Sequence, residues 1–215
     1  MKITPNIFAI QTLVGNQYVI LSEQTATLID TGLPGNDRRI LAEISSRGVH
    51  PGQLKHILIT HADGDHFGSL RALQSYTSAE TSTSLAEATA IRAGQSSRPL
   101  IAKNIIQRGL FRLTGKLFRS EAARIDIILE PGVILPVLNG LQVLDTTGHT
   151  PGHISFYLPE EKILFAGDSI WIKGGKLSPS SGANTWNVEL ARLAFERQMA
   201  LNPKIIAAGH CIFFL

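Results

Sequence analysis

The sequence predicts an α+β fold in which sheets pack face to face and helices flank them. Three observations lead there. Short apolar runs recur along the chain, each bounded by turn-forming residues; two capped helical stretches stand apart from them; and no repeat of solenoid period is present. At 215 residues and 44% hydrophobic, the chain can bury a sizeable core and fits one domain, 1–215.

Taken in order, strands are expected near residues 7–10, 17–21 and 25–29. A helix follows over about 37–47, capped by Asn36 and ended by Gly48. Residues 55–60 read as a buried strand, and Phe67, Leu70 and Leu73 are spaced for one face of the next helix. Ser84-Leu85-Ala86-Glu87 is a capping-box pattern opening a helix through about Ala93, which Gly94 to Pro99 breaks. Further strands are expected near 126–129, 133–137, 141–145, 154–158 and 162–165. A last helix over about 188–201 is capped by Asn187 and stopped before Pro203. The short apolar tail, Ile212 to Leu215, is expected to dock on the body or at a homodimer interface.

The chemistry concentrates in Thr60-His61-Ala62-Asp63-Gly64-Asp65-His66, directly after an apolar strand. Two carboxylates and two imidazoles in one tight turn perturb one another unless a cation compensates, and a divalent metal is the simplest compensator. The plainer alternative is that Asp63 and Asp65 only cap the following helix. Three more apolar strands each end in a glycine and a metal-capable residue: Gly148-His149, Gly167-Asp168 and Gly209-His210. Glycine lets the backbone turn or approach closely there. His50 and His56 match no such pattern.

On these residues, from Asp30 to His210, the chain resembles the metallo-β-lactamase-fold hydrolases, whose pattern is H-x-H-x-D-H, then His, Asp and His. The resemblance implies a four-layer αββα sandwich with the metals at one edge. It implies that His61 and His149 hold a first metal, that Asp65, His66 and His210 hold a second, and that Asp168 bridges them. Asp30 would support the site without binding metal. This chain departs at one position: the family's second histidine is Asp63, giving an H-x-D-x-D-H variant. With Asp63 counted as a ligand, the expected cofactors are two divalent ions, zinc first, with manganese or iron favoured by the harder oxygen ligand. The implied activity is hydrolysis by a metal-bound hydroxide of an ester, lactone, thioester or amide bond, with Asp65 and Asp168 catalytic. The alternatives are a metal-dependent phosphodiesterase or nuclease, and a diiron-type redox protein.

Residues 84–124 are expected to form a helical cap inserted over the metal edge. Their cations are concentrated, with Arg108, Arg112 and Lys116 at successive i, i+4 positions beside an apolar stripe of Ile106, Leu110, Leu113 and Leu117. Arg108, Arg112, Trp171 and His153 are the residues expected to face a small, anionic or amphipathic substrate, His153 alternatively orienting a ligand. An ordinary solvated helix pair, or a membrane-surface helix, is the competing expectation for the basic stretch.

The net charge of +3 is modest and local, and no aromatic stacking pattern accompanies it, so no nucleic-acid partner is expected. There is no apolar run of about twenty residues, and the single cysteine, Cys211, cannot form an internal disulfide. A cytoplasmic enzyme without a transmembrane segment is the expectation.

Overall fold

The computed structural model describes residues 1–23, 25–98 and 120–215. Two six-stranded sheets face each other. The first runs β1 (Ile7–Gln11), β2 (Asn16–Ser22), β3 (Thr25–Ile29), β4 (Leu54–Leu58), β5 (Glu80–Thr83) and β6 (Ile127–Ile128) in spatial order. Its first three strands are antiparallel and the rest join in parallel. The second contains β7 (Ile134–Leu135), β8 (Leu141–Asp145), β9 (Ile154–Leu158), β10 (Ile163–Gly167), β13 (Ile205–Ala208) and β14 (Ile212–Phe214), in the order β14-β13-β10-β9-β8-β7. A separate hairpin, β11 (Ile170–Lys173) with β12 (Lys176–Pro179), follows β10.

Strand alternation sorts side chains into layers. Along β1, Ile7 and Ala9 point between the sheets, where they join Tyr18, Ile20, Ile29, Leu58, Val143, Phe156, Leu158 and Phe165. Phe8 and Ile10 point the other way, into a cluster with Ile40, Ile44, Leu70, Leu73, Ala88 and Ile91. Those partners come from α1 (Asp37–Ser45), α3 (Leu70–Tyr76) and α4 (Leu85–Arg92). On the far side, Tyr157, Leu164, Ala166 and Ile206 pack against Phe195 and Met199 of α5 (Val188–Ala200). The layers are therefore helix, sheet, sheet, helix, the αββα sandwich expected from the sequence.

Several expectations are corrected by the structure. The helix after the metal-capable turn is split into a single turn, α2 (Gly64–Phe67), and α3. Strands β5, β11 and β12 were not expected: β5 is rich in Ser and Thr, and the β11–β12 hairpin interrupts its pattern with Gly174-Gly175. Asn36 makes no side-chain cap of α1, whereas the Asn187 carboxamide accepts from the Glu189 and Leu190 amides at 3.1 and 3.0 Å. The apolar tail docks on the body as β14, an edge strand antiparallel to β13. The basic stretch from Leu100 to about Arg119, with Arg108 and Arg112, lies outside the described residues. Among the described residues, no helix is long and apolar enough to cross a membrane.

Strand direction explains where the chemistry gathers. β3 is parallel to β4 and β10 to β13, while β8 is antiparallel to β9, which is antiparallel to β10. The carboxyl ends of β3, β4, β8, β10 and β13 therefore share one edge of the sandwich, the usual position for functional loops on a rigid scaffold.

Candidate metal centre

All seven expected ligands meet at that edge. Their ligand atoms fall into three overlapping triads, each within 4.8 Å: His61, Asp63 and His149; Asp65, His66 and His210; and His61, His66 and Asp168. Asp168 Oδ1 lies 3.3 Å from His66 Nε2, while its Oδ2 lies 3.1 Å from His210 Nε2 and 3.6 Å from His149 Nε2. Asp168 thus faces both outer triads.

The rear face of each buried imidazole is tied to the protein, which fixes the tautomer. Asp30 is the hub. It sits in the left-handed region at φ +60°, a conformation that Asp tolerates better than most residues. Its carboxylate accepts from the Thr60 amide at 2.9 Å, the Thr60 hydroxyl and His66 Nδ1 at 2.8 Å. The Thr60 oxygen in turn lies 3.0 Å from His61 Nδ1, and Ser180 Oγ lies 2.9 Å from His149 Nδ1. With Nδ1 bonded, each Nε2 lone pair points into the cluster.

Charge and burial act on the ring together. Burial alone would raise the Asp168 carboxyl, but the His66 charge and the hydrogen bond from His210 hold it well below its usual range. Burial would lower His66, yet the carboxylates of Asp168, Asp30 and Asp65 push it well above its ordinary value. His149 is lowered, chiefly by burial.

The residues present fit a divalent cation by a direct observation. His61 Nε2, His66 Nε2 and Asp168 Oδ1 are all buried, converge, and make no hydrogen bond among the described residues. Converging buried lone pairs without a donor among them are costly, and a metal is what satisfies such a set. The gap is tightly shaped: a Cβ on Gly209 would come within 2.2 Å of Asp168 Oδ1 and 2.7 Å of His66 Cε1. The set contains imidazole nitrogen and carboxylate oxygen but no thiolate, which suits zinc, manganese or iron.

The family model described as the metallo-beta-lactamase superfamily matches residues 10–210. The chain belongs to that superfamily. Among curated relatives, the uncharacterized protein YobT of Bacillus subtilis is 30% identical over 207 residues, covering 91% of this chain and 82% of the relative. The probable metallo-hydrolase YflN of the same organism is 26% identical over 200 residues, covering 86% and 75%. A hydroxyacylglutathione hydrolase of Rhodobacter capsulatus is 32% identical over 161 residues, covering 74% of this chain but 48% of the relative. Among solved structures, a metallo-β-lactamase family protein of Thermus thermophilus superposes with a TM-score of 0.74 at 24% identity, covering 98% of this chain and 75% of that one. A Cronobacter sakazakii metallo-β-lactamase gives 0.75 at 22%, covering 98% and 77%. These structural likenesses, together with the family match, fix the metallo-β-lactamase fold.

Within that fold, the remaining expected residues sort by position. Trp171 stacks on His210 with ring centroids 4.6 Å apart and donates its indole N–H to the Asp168 carbonyl at 2.9 Å. It also lines a cavity of about 340 Å³ beside His149, with Ile172, Lys173, Pro179 and Ser180. His153 does not face substrate. It is fully buried, its Nε2 accepts from the Asp168 amide at 3.1 Å, and its Nδ1 lies 2.7 Å from the Thr146 hydroxyl. Of the two roles expected for it, the geometry leaves support of the Asp168 turn. Asp63 occupies the N-cap position of α2 without capping it by a side-chain bond.

Two residues outside the expected ligand set also shape the site. Glu87 was expected to close a capping box with Ser84; instead its fully buried carboxylate accepts from the Ala62 amide (2.7 Å), the Thr150 hydroxyl (2.7 Å) and the Gly152 amide (2.8 Å). The Ser84 hydroxyl donates to the Gly152 carbonyl at 2.6 Å. One side chain of α4 therefore fastens the His61–Asp63 turn to the turn after His149. The second is Arg98, whose guanidinium bonds Asp63 Oδ2 while the Ser96 hydroxyl donates to Asp63 Oδ1 at 2.8 Å. A carboxylate on the Ala88/Ile91 face of α4 was the available signal for Glu87; none marks Arg98.

Proposed function

We propose that this chain is a metal-dependent hydrolase with a dinuclear centre, which cleaves an ester, lactone, thioester or amide bond of a small substrate. The observation that carries the reading is the convergence of the buried, unbonded His61 Nε2, His66 Nε2 and Asp168 Oδ1. In it, His61, Asp63 and His149 hold one cation; Asp65, His66 and His210 hold the other; and Asp168 serves both. Zinc is the first choice, and Asp63 favours manganese or iron relative to the all-histidine pattern. When bound, such a pair supplies Lewis acidity and an acidified water.

The chain's own residues do the rest. Asp30 and Thr60 keep His61 and His66 in the tautomer that offers Nε2 inward. His153 holds the Asp168 amide and so the aim of its carboxylate. Asp65 has about a quarter of its side chain exposed on the open side of the cluster and takes the proton-moving role. The neighbouring cavity has apolar walls from Trp171, Ile172 and Pro179, with Lys173 among its lining, which suits a small amphipathic substrate bearing an anionic group. The segment 84–124 is read as an insertion within one domain; its Ser96 and Arg98 reach Asp63.

The test is metal analysis of the purified protein followed by a panel of thioesters, lactones, esters, β-lactams and phosphodiesters. Thioesters come first because some relatives are hydroxyacylglutathione hydrolases, of which the chain spans about half the length. Turnover of at least one carbonyl substrate that a chelator abolishes and Zn²⁺ or Mn²⁺ restores is expected. Turnover of phosphodiesters alone, or metal-dependent oxygen uptake without hydrolysis, would overturn the reading.

A further inference from the structure

Asp63 is where this chain departs from the superfamily pattern, and its carboxylate has two kinds of neighbour. Inward, Oδ2 lies 3.2 Å from His149 Nε2 and 3.5 Å from His61 Nε2. Outward, the same Oδ2 accepts from the Arg98 guanidinium, and Oδ1 accepts from the Ser96 hydroxyl. The Asp63 and Arg98 side chains are each only 12% exposed, so this is a largely desolvated ion pair rather than a surface contact.

Charge counting shows what the pair does. If the seven groups bind two divalent ions, as read above, Asp63, Asp65 and Asp168 contribute −3 against +4, leaving +1. A neutral histidine in place of Asp63 would leave +2. Arg98 cannot lose its proton, and adding its charge to the Asp63-bearing core restores +2. The ion pair has the net charge of the missing imidazole.

We propose that Arg98 is a resident counter-cation of the first metal triad: it forms with Asp63 a composite that replaces a neutral histidine, and it holds down that triad's affinity for metal. Arg98 acts in two ways, both in the same direction. It draws on Asp63 Oδ2, the oxygen that also faces His61 and His149. It also sets a fixed positive charge, poorly screened by water, beside the place of a dication. Arg98 acts through Asp63 and is a positioning residue in this role.

The experiment is a two-step Zn²⁺ titration of the full chain against a chromophoric chelator, with His210→Ala used to identify which step belongs to the second triad. Arg98→Gln is expected to raise the first-triad affinity about tenfold or more while leaving the second within about twofold. Arg98→Lys keeps the charge and is expected to stay within about threefold of wild type at both. Arg98→Met repeats the charge removal with a different side chain, so that one poorly folding variant does not decide the matter. A first-triad affinity that falls or stays unchanged in folded Arg98→Gln or Arg98→Met, or that rises equally in Arg98→Lys, would overturn the proposal. Zn²⁺ uptake at neither triad of the wild-type chain would overturn the metal reading itself, and the proposal with it.

Discussion

The two outer triads differ in how they balance charge. Around His61, Asp63 and His149 the protein supplies its own cation: Arg98 is bonded to Asp63, and burial keeps His149 below its ordinary titration range. Around Asp65, His66 and His210 no described arginine or lysine makes an ion pair, about a quarter of each of Asp65 and His210 is exposed, and carboxylates push His66 well upward. The first triad is internally compensated and closed; the second is electron-rich and open. Two halves of one centre, built on the same sheet edge, therefore make different demands on a metal. The second is predicted to fill first and hold tighter.

The largest effect should come from removing the residue they share. Asp168→Ala takes a carboxylate from both halves and leaves His66, His149 and His210 facing a hole. About a thousandfold loss of kcat/KM, or about 4 kcal/mol, is expected, with metal content falling at both triads. Loss at only one triad would break the view of Asp168 as common to both.

Next is Glu87→Ala, which separates the halves. It strands the Ala62 and Gly152 amides and the Thr150 hydroxyl in a buried place, for a destabilisation of about 3 kcal/mol in urea unfolding of metal-free protein. Because the three groups flank His61, Asp63 and His149, metal affinity should fall at the first triad and hold at the second.

Asp30→Asn tests the opposite half. Asp30 touches His66 directly and reaches His61 only through Thr60. Loss of such a partner typically weakens metal binding by about 10- to 100-fold, and here the second triad should carry most of it. A greater loss at the first triad would mean that the Thr60 relay matters more than the direct bond.

How much of this was legible in the sequence depends on distance along the chain. The ligands were legible because each follows an apolar strand, most of them directly after a glycine, so that local pattern and tertiary position coincide. His61 to His66 needs one turn, and Gly209 is where a Cβ would strike Asp168. The αββα layering came from the resemblance rather than from the pattern, because β1 is apolar on both faces, with Ile7 and Ala9 in one layer and Phe8 and Ile10 in the other. Glu87 was misread because Ser-x-x-Glu is a local signature, whereas its carboxylate serves groups 25, 63 and 65 residues away. Arg98 stands 35 residues from Asp63 and carries no mark that distinguishes it from the other cations of its segment. Strand β5, Glu-Thr-Ser-Thr, has no apolar alternation because buried hydroxyls there bond the backbone, as Thr83 does to the Ile59 carbonyl at 2.8 Å.

The smallest predicted effect concerns pH, and its sign follows from the titration of the imidazoles. A metal must displace the proton from each histidine it binds, so a ring that holds its proton more tightly gives up metal at higher pH. His66 is raised despite its burial, by Asp168, Asp30 and Asp65, and His210 is raised despite its burial, by its bond to Asp168. His149 is lowered, mainly by burial. On acidification from neutral pH, the affinity of the second triad should start to fall at a higher pH than that of the first, by about tenfold per pH unit for each proton taken up. Cobalt affinities measured by absorbance at successive pH values would show the two declines setting in in that order. In the metal-free fold the same shifts act on stability with opposite signs. The raised His66 and His210 contribute stability that is fully present below about pH 6.5 and lost as pH rises through their folded values, whereas the lowered His149 and His153 contribute stability present above about pH 6.5 and lost as pH falls. His149→Asn should therefore flatten the acid side of the metal-free stability curve and His66→Asn the alkaline side. The reverse assignment would mean that the closed triad, and not the open one, carries the excess negative charge.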